Sequence, residues 1–135
     1  AVNSELSMLY WNIGRRINRE ILHDKRAEYG KQIIATLSEQ LTMEYGKGWS
    51  EKLLRHCLRA VDVFQDEQIF STLCRQFSWS HIRLFMYIDD SLKRNFYIEI
   101  SRIEKWSVRI LQGRINSMLF ERIAISRKPG RDNCA

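Results

Sequence analysis

Five side chains between residues 47 and 59 carry the clearest chemistry in the sequence. Lys52, Arg55, His56 and Arg59 recur at helical spacing, and Lys47 precedes them inside the glycine-bounded turn Gly46-Lys47-Gly48. Residues three and four apart share one face of a helix. At a rise of about 1.5 Å per residue, Lys52 to Arg59 covers about 10 Å, close to the width of a DNA major groove. Arginine supplies planar paired donors for guanine edges or phosphates, and lysine a point charge for phosphates. The pattern therefore suits a polyanion. The same residues are also what an ordinary solvated helix face would carry, and the residues alone leave both readings open.

No other grouping is expected to do chemistry. His23, His56 and His81 are far apart and lack the local spacing of metal ligands. His23 suits the carboxyl end of a helix dipole instead. Asp89-Asp90 resembles a metal-binding or acid-base pair, but two carboxylates ahead of Ser91 are what a helix start uses for capping. Cys57, Cys74 and Cys134 form neither a CxxC nor a cysteine-histidine pair, which predicts free thiols in a reducing cytoplasm. There is no phosphate-binding glycine loop, GxSxG or HExxH. No catalytic residue, metal or cofactor is expected. Arg15-Arg16 and Lys93-Arg94 read as solvent-facing basic pairs.

Helices must position these groups. Apolar periodicity predicts about seven, over residues 4–22, 33–45, 51–64, 66–76, 81–88, 91–104 and 108–125. The expected fold is an all-α, compact single-domain bundle over 1–125, followed by a disordered basic tail over 126–135. Residues 23–30 read as a linker. Residues 33–45, the glycine turn and 51–64 together have a helix-turn-helix-like layout. Leu53, Leu54, Cys57, Leu58, Val61 and Phe64 fall on the inner side of its second helix.

A tryptophan, a serine and, four residues on, a leucine occur together three times: Trp49-Ser50 with Leu54, Trp79-Ser80 with Leu84, and Trp106-Ser107 with Leu111. Each predicts a serine-capped helix start stapled by the tryptophan. The first helix places Leu6, Leu9, Tyr10, Ile13 and Ile17 on one face and Met8 and Trp11 on another. A helix apolar on two sides, together with off-face Ile98, suggests a homo-oligomer or protein-partner surface through Met8 and Trp11.

The bulk numbers agree with a binding protein. The 135 residues hold 22 lysines and arginines against 16 acidic residues, a net charge of +6 that favours an anionic partner. One proline and six glycines leave little material for turns. No run approaches the roughly 18 apolar residues of a membrane span, and no signal peptide is visible, so a cytoplasmic location without a membrane partner is expected.

Several phrases in order resemble the N-terminal helical domain of the YhcG-like family: LYWNIGRRI (Leu9 to Ile17), AEYGKQ (Ala27 to Gln32), EYGKGWS (Glu44 to Ser50), FSWSH (Phe77 to His81), Ile88-Asp89-Asp90, RNFY (Arg94 to Tyr97), WSVR (Trp106 to Arg109) and INSMLFER (Ile115 to Arg122). The likeness covers residues 4 to about 125. It implies a helix-turn-helix-like DNA-binding unit ahead of a C-terminal PD-(D/E)XK nuclease domain, with DNA a better candidate than RNA. The residues of a metal-dependent nuclease are not among those in this sequence. Leu53, and Ile110-Leu111 after Arg109, depart from the family pattern. The leading expectation is a nucleic-acid-binding module, the targeting half of a nuclease. The rival is an interaction or dimerisation module that binds no nucleic acid.

Overall fold

The computed structural model describes residues 4–21 and 27–126, and every regular element among them is helical. α1 (Ser4–Arg16) runs into a π-helical segment (Ile17–Ile21). α2 (Ala27–Tyr45), α3 (Glu51–Val63), α4 (Glu67–Gln76), α5 (Trp79–Met86), α6 (Ser91–Glu104), α7 (Val108–Asn116) and α8 (Leu119–Ser126) follow. The all-helical class expected from periodicity is the class observed. The helices group into two compact units, residues 1–79 and 80–135. His23 and its helix-end role, most of the expected linker, Cys134 and the tail beyond Ser126 lie outside the described residues.

Side-chain capping sets the starts of α3, α4, α6 and α7. The Ser50 and Ser107 hydroxyls accept from Leu53 N–H at 3.1 Å and Ile110 N–H at 3.2 Å, opening α3 and α7 as the repeated pattern predicts. Asp66 accepts from Gln68 N–H at 2.8 Å at the start of α4, and Asp90 from Leu92 N–H at 2.9 Å at the start of α6. Asp90 is therefore a cap. The middle copy of the pattern differs: Trp79 is already the first residue of α5, so Ser80 sits inside the helix and cannot cap it.

Two boundaries also differ from expectation. Residues 27–30, read as linker, already belong to α2, because one glycine costs a helix only about 1 kcal/mol relative to alanine. The single helix expected over 108–125 is two. Met118 takes a left-handed φ of 59°, which ends the α7 spiral. Tyr97, fully buried, supports the break: its hydroxyl accepts from Phe120 N–H at 3.1 Å and donates to the Arg114 carbonyl at 3.4 Å. That satisfies one of the unpaired amides at the start of α8.

In the first unit α1 lies against α3 and α4. Gly14 explains how closely. A Cβ built there would overlap the Cys57 carbonyl of α3, so only glycine lets the two backbones meet. Trp11 is 1% exposed, stacks on Phe70 at 5.9 Å and donates its indole N–H to the Phe64 carbonyl at 2.8 Å. This corrects the expected partner surface. Trp11 fills the core and cannot contact another molecule, and Met8 is only half exposed. The exposed large apolar residues of α1 are Leu6 and Leu9, from the other of its two apolar faces.

A second cluster holds α2. Ile17, Ile34 and Leu54 are buried together, with Leu37, Leu41, Trp49 and Leu58 packed around them. The Ser38 hydroxyl donates to the Trp49 carbonyl at 2.6 Å, tying α2 to the turn before α3.

Candidate nucleic-acid interface

The connection from α2 to α3 is five residues long, Gly46 to Ser50. Gly46 and Gly48 have φ of +91° and +111°, values that side-chain-bearing residues rarely adopt. Gly46 N–H still bonds the Thr42 carbonyl at 2.9 Å, so the chain turns directly off the last turn of α2. Trp49 packs into the cluster and Ser50 caps α3. The orientation of α3 is thus fixed at its start by the turn and along its length by Leu54, Cys57, Ala60 and Val61, all buried.

The five sequence-chosen residues sit on or beside the opposite face. Lys47, Lys52 and Arg55 are exposed, whereas His56 and Arg59 are half buried. Arg55 donates to the Glu51 carboxylate at 3.1 Å one turn earlier, and Arg59 approaches Asp62 at 4.0 Å one turn later. Both pairs lie within α3 and reach water. Such pairs contribute only about 0–1 kcal/mol each, so a phosphate competes for the exposed Arg55 guanidinium at small cost. Lys47 and Lys52 have no acidic partner among the described residues. On the inner side, burial pushes the Cys57 thiol up to about 12, so it stays protonated. Cys74, buried on α4, is raised to about 11 for the same reason.

The remaining candidates take structural places. Arg15 pairs with Glu67 at 3.1 Å and lies over Trp11 at 5.4 Å, while Arg16 pairs with Glu20 at 3.0 Å. Arg94 donates to the Ile88 carbonyl at 2.7 Å, closing the chain after α5. Lys93 pairs with Glu121 at 2.7 Å across α6 and α8. The hydrogen bond with Lys93 holds the Glu121 carboxyl below the usual carboxylate range. His81 Nε2 donates to the Trp106 carbonyl at 2.8 Å. Among the described residues no group of three His, Cys, Asp or Glu comes together to hold a metal ion, and no helix is long and apolar enough to cross a membrane.

Two features escape sequence reasoning. In the first unit a groove of about 420 Å³ runs between α1 with its π segment and α2, lined by Leu9, Ile13, Leu37, Leu41, Tyr45 and Trp49 with Arg16 and Glu20 at its edge. Periodicity assigns Leu9, Ile13, Leu37 and Leu41 to a core, and nothing in the sequence says that the two helices leave a gap there. In the second unit a cleft also of about 420 Å³ separates α5 from α7, with Arg83, Tyr87 and Gln112 among its walls. Arg83 and Tyr87 are four residues apart, but with no motif around them the spacing alone does not mark a site.

The sequence model of one family, described as the DUF1016 N-terminal domain, matches residues 1–122. The chain is 27% identical to a protein named "Putative nuclease YhcG" from Escherichia coli (strain K12), over 93% of this chain and 42% of that protein. The chain thus spans less than half the length of that relative. No solved structure matches.

Proposed function

The chain belongs to the DUF1016 N-terminal domain family, and from that premise we propose that it is a nucleic-acid-binding helical module, with duplex DNA as its ligand, and the targeting half of a nuclease. The observation that carries this reading is the outer face of α3, where Lys52 and Arg55 are exposed beside Lys47 of a glycine-fixed turn. Phosphate contacts would position the module, and Arg55 is the side chain best suited to a base edge. The name of the relative, which describes a nuclease, supports a nucleic-acid ligand. Cleavage would belong to a separate catalytic part, since the α3 face offers cations for phosphate and, among the described residues, no group of three His, Cys, Asp or Glu gathers to hold a metal.

Charge reversal tests the location. Lys47→Glu with Lys52→Glu should reduce duplex affinity at least about 10-fold, because two phosphate contacts become repulsions. Arg75→Glu with Lys31→Glu makes the same change in net charge at exposed positions elsewhere in the first unit and should retain most of the affinity. Equal losses from both pairs would show that bulk charge, not this face, attracts DNA.

A second reading, an interaction module that forms a homo-oligomer, is favoured by the apolar groove. Leu9 and Tyr45 on its rim are 48% and 69% exposed, and neighbouring Met43 is 86% exposed. The edge carries one cation and one anion, Arg16 and Glu20, which a two-fold contact with a second copy could exchange. Light scattering of the parent and of Tyr45→Glu with Leu9→Glu decides: a dimer that dissociates in the variant supports this reading, and a monomeric parent removes it.

A further inference from the structure

The positive charge is unevenly placed. Residues 1–79 carry 11 lysines and arginines against 10 acidic residues, and residues 80–135 carry 11 against 6, so almost all of the surplus lies in the second unit. The α3 face lies in the other one. Within the second unit Arg94 and Lys93 are committed to structural bonds, and Arg114 lies over Trp106 at 5.6 Å. Arg83 on α5 and Arg109 in the first turn of α7 are exposed and pair with no acidic side chain among the described residues.

Arg83 forms a wall of the cleft between α5 and α7. Tyr87 stands one turn further along the same side and is 49% exposed, a large aromatic surface left in contact with water. Across the cleft, Gln112 donates its amide to Asn116 at 2.9 Å, which leaves its carbonyl oxygen to accept. The Ser80 hydroxyl adds a second polar group, and Leu84 and Ile115 complete an apolar floor. A cleft of about 420 Å³ falls within the range of small-ligand sites, which run from about 300 Å³ upward. Its walls offer a cation for a phosphate, a ring for a base face and polar atoms for a base edge. That is the set from which proteins assemble sites for unstacked nucleotides.

We propose that the α5–α7 cleft binds an unpaired nucleotide of single-stranded DNA, with the Tyr87 ring against the base and Arg83 on the adjoining phosphate. The proposal rests on the nucleic-acid reading of the chain but not on the α3 face. A duplex keeps its bases stacked and paired and so has no base to place in this cleft, and without that anchor its phosphates are not held at Arg83. Single strands therefore depend on Tyr87, and duplexes do not. Arg109, which follows the cleft residue Val108 in the first turn of α7, is the exposed cation assigned to the next phosphate of the strand.

The test is fluorescence anisotropy of the full 135-residue chain with labelled (dT)15, (rU)15 and a 15-bp duplex. Tyr87→Ala changes no charge, so a loss of affinity cannot come from weaker bulk attraction. It should lower (dT)15 affinity about 10-fold, the scale of one lost base stack. Tyr87→Phe keeps the ring and should stay within about threefold of the parent. Arg83→Ala, at an exposed position that folding does not need, should weaken (dT)15 by about the same factor and flatten its salt dependence by close to one phosphate. Duplex affinity should stay within about threefold in all three. Unchanged (dT)15 affinity in Tyr87→Ala or Arg83→Ala overturns the proposal, as does equal loss on single strand and duplex, or binding of (rU)15 alone. The α3 variants separate the two assignments. If Lys47→Glu with Lys52→Glu leaves duplex binding intact while Tyr87→Ala still weakens (dT)15, the α3 face fails and the cleft stands.

Discussion

Gly14 sets two well-measured effects against each other. Replacing an interior helical glycine by alanine ordinarily stabilises a helix by about 1 kcal/mol, since alanine loses less backbone entropy and shields the backbone. At Gly14 the added methyl would overlap the carbonyl of Cys57, a backbone group of α3 that cannot rotate away, and would touch a methyl of Val61. Overpacking a rigid interior costs about 1–3 kcal/mol, and more where backbone must move. The overlap therefore wins, and Gly14→Ala is expected to destabilise the chain by about 2–3 kcal/mol net. Gly113 in α7 is the control. A Cβ there meets nothing within 4 Å, so Gly113→Ala should show only the helix gain of about 0.5–1 kcal/mol. With urea m-values of about 1–3 kcal/mol per M, the Gly14 variant should lose about 1–2 M in midpoint by circular dichroism and the Gly113 variant should gain a few tenths. A Gly14 variant as stable as the parent would refute the close crossing of α1 and α3. Because α3 would have to shift to accept the methyl, the same variant should also weaken duplex binding.

Other outcomes follow from the buried thiols and from the α6–α8 ion pair. In a Cys134→Ser background, Cys57 and Cys74 should resist a disulfide reagent in native buffer and react in urea, because both are buried with their thiols raised to about 12 and about 11. Rapid native labelling of Cys57 would mean that α1 does not cover α3. Glu121, held below the ordinary carboxylate value of 4.5 by its hydrogen bond with Lys93, stabilises the folded state fully above pH 4.5 and loses that contribution as the pH falls through its lowered folded value. Glu121→Gln should therefore cost about 1 kcal/mol at pH 7 in urea melts and leave a shallower loss below pH 4.5 than the parent shows. A parent and variant with parallel acid limbs would show the pair to be idle.

Much of the fold was legible because its signals are local. Ser50 capping α3, Asp90 capping α6 and the inward set Leu54, Cys57 and Val61 each depend on spacing that the sequence displays directly. Trp11 was misplaced for a nonlocal reason. Its position relative to Leu6 and Leu9 puts it on a minority face of α1, but α3 and α4 lie on that side, and an indole that can reach the Phe64 carbonyl is worth burying. The Ser117–Met118 break carries neither proline nor glycine. It is stabilised by Tyr97, some twenty residues away in sequence, which no local pattern contains. The cations of α3 could be read as a face, but their pairing with Glu51 and Asp62 depends on rotamers. The α5–α7 cleft is a gap between helices, and periodicity describes surfaces, not the space between them.

Salt titration of duplex binding addresses the α3 face most directly. If Lys47, Lys52, Arg55 and Arg59 each neutralise one phosphate, log K should fall against log salt with a slope of about −3.6, close to a 150-fold loss between about 50 and 200 mM. Lys52→Ala with Arg55→Ala should bring that slope to about −1.8 and weaken binding at low salt. A parental slope near zero, or a double variant with the parent's affinity and slope, would contradict the assignment of this face to DNA.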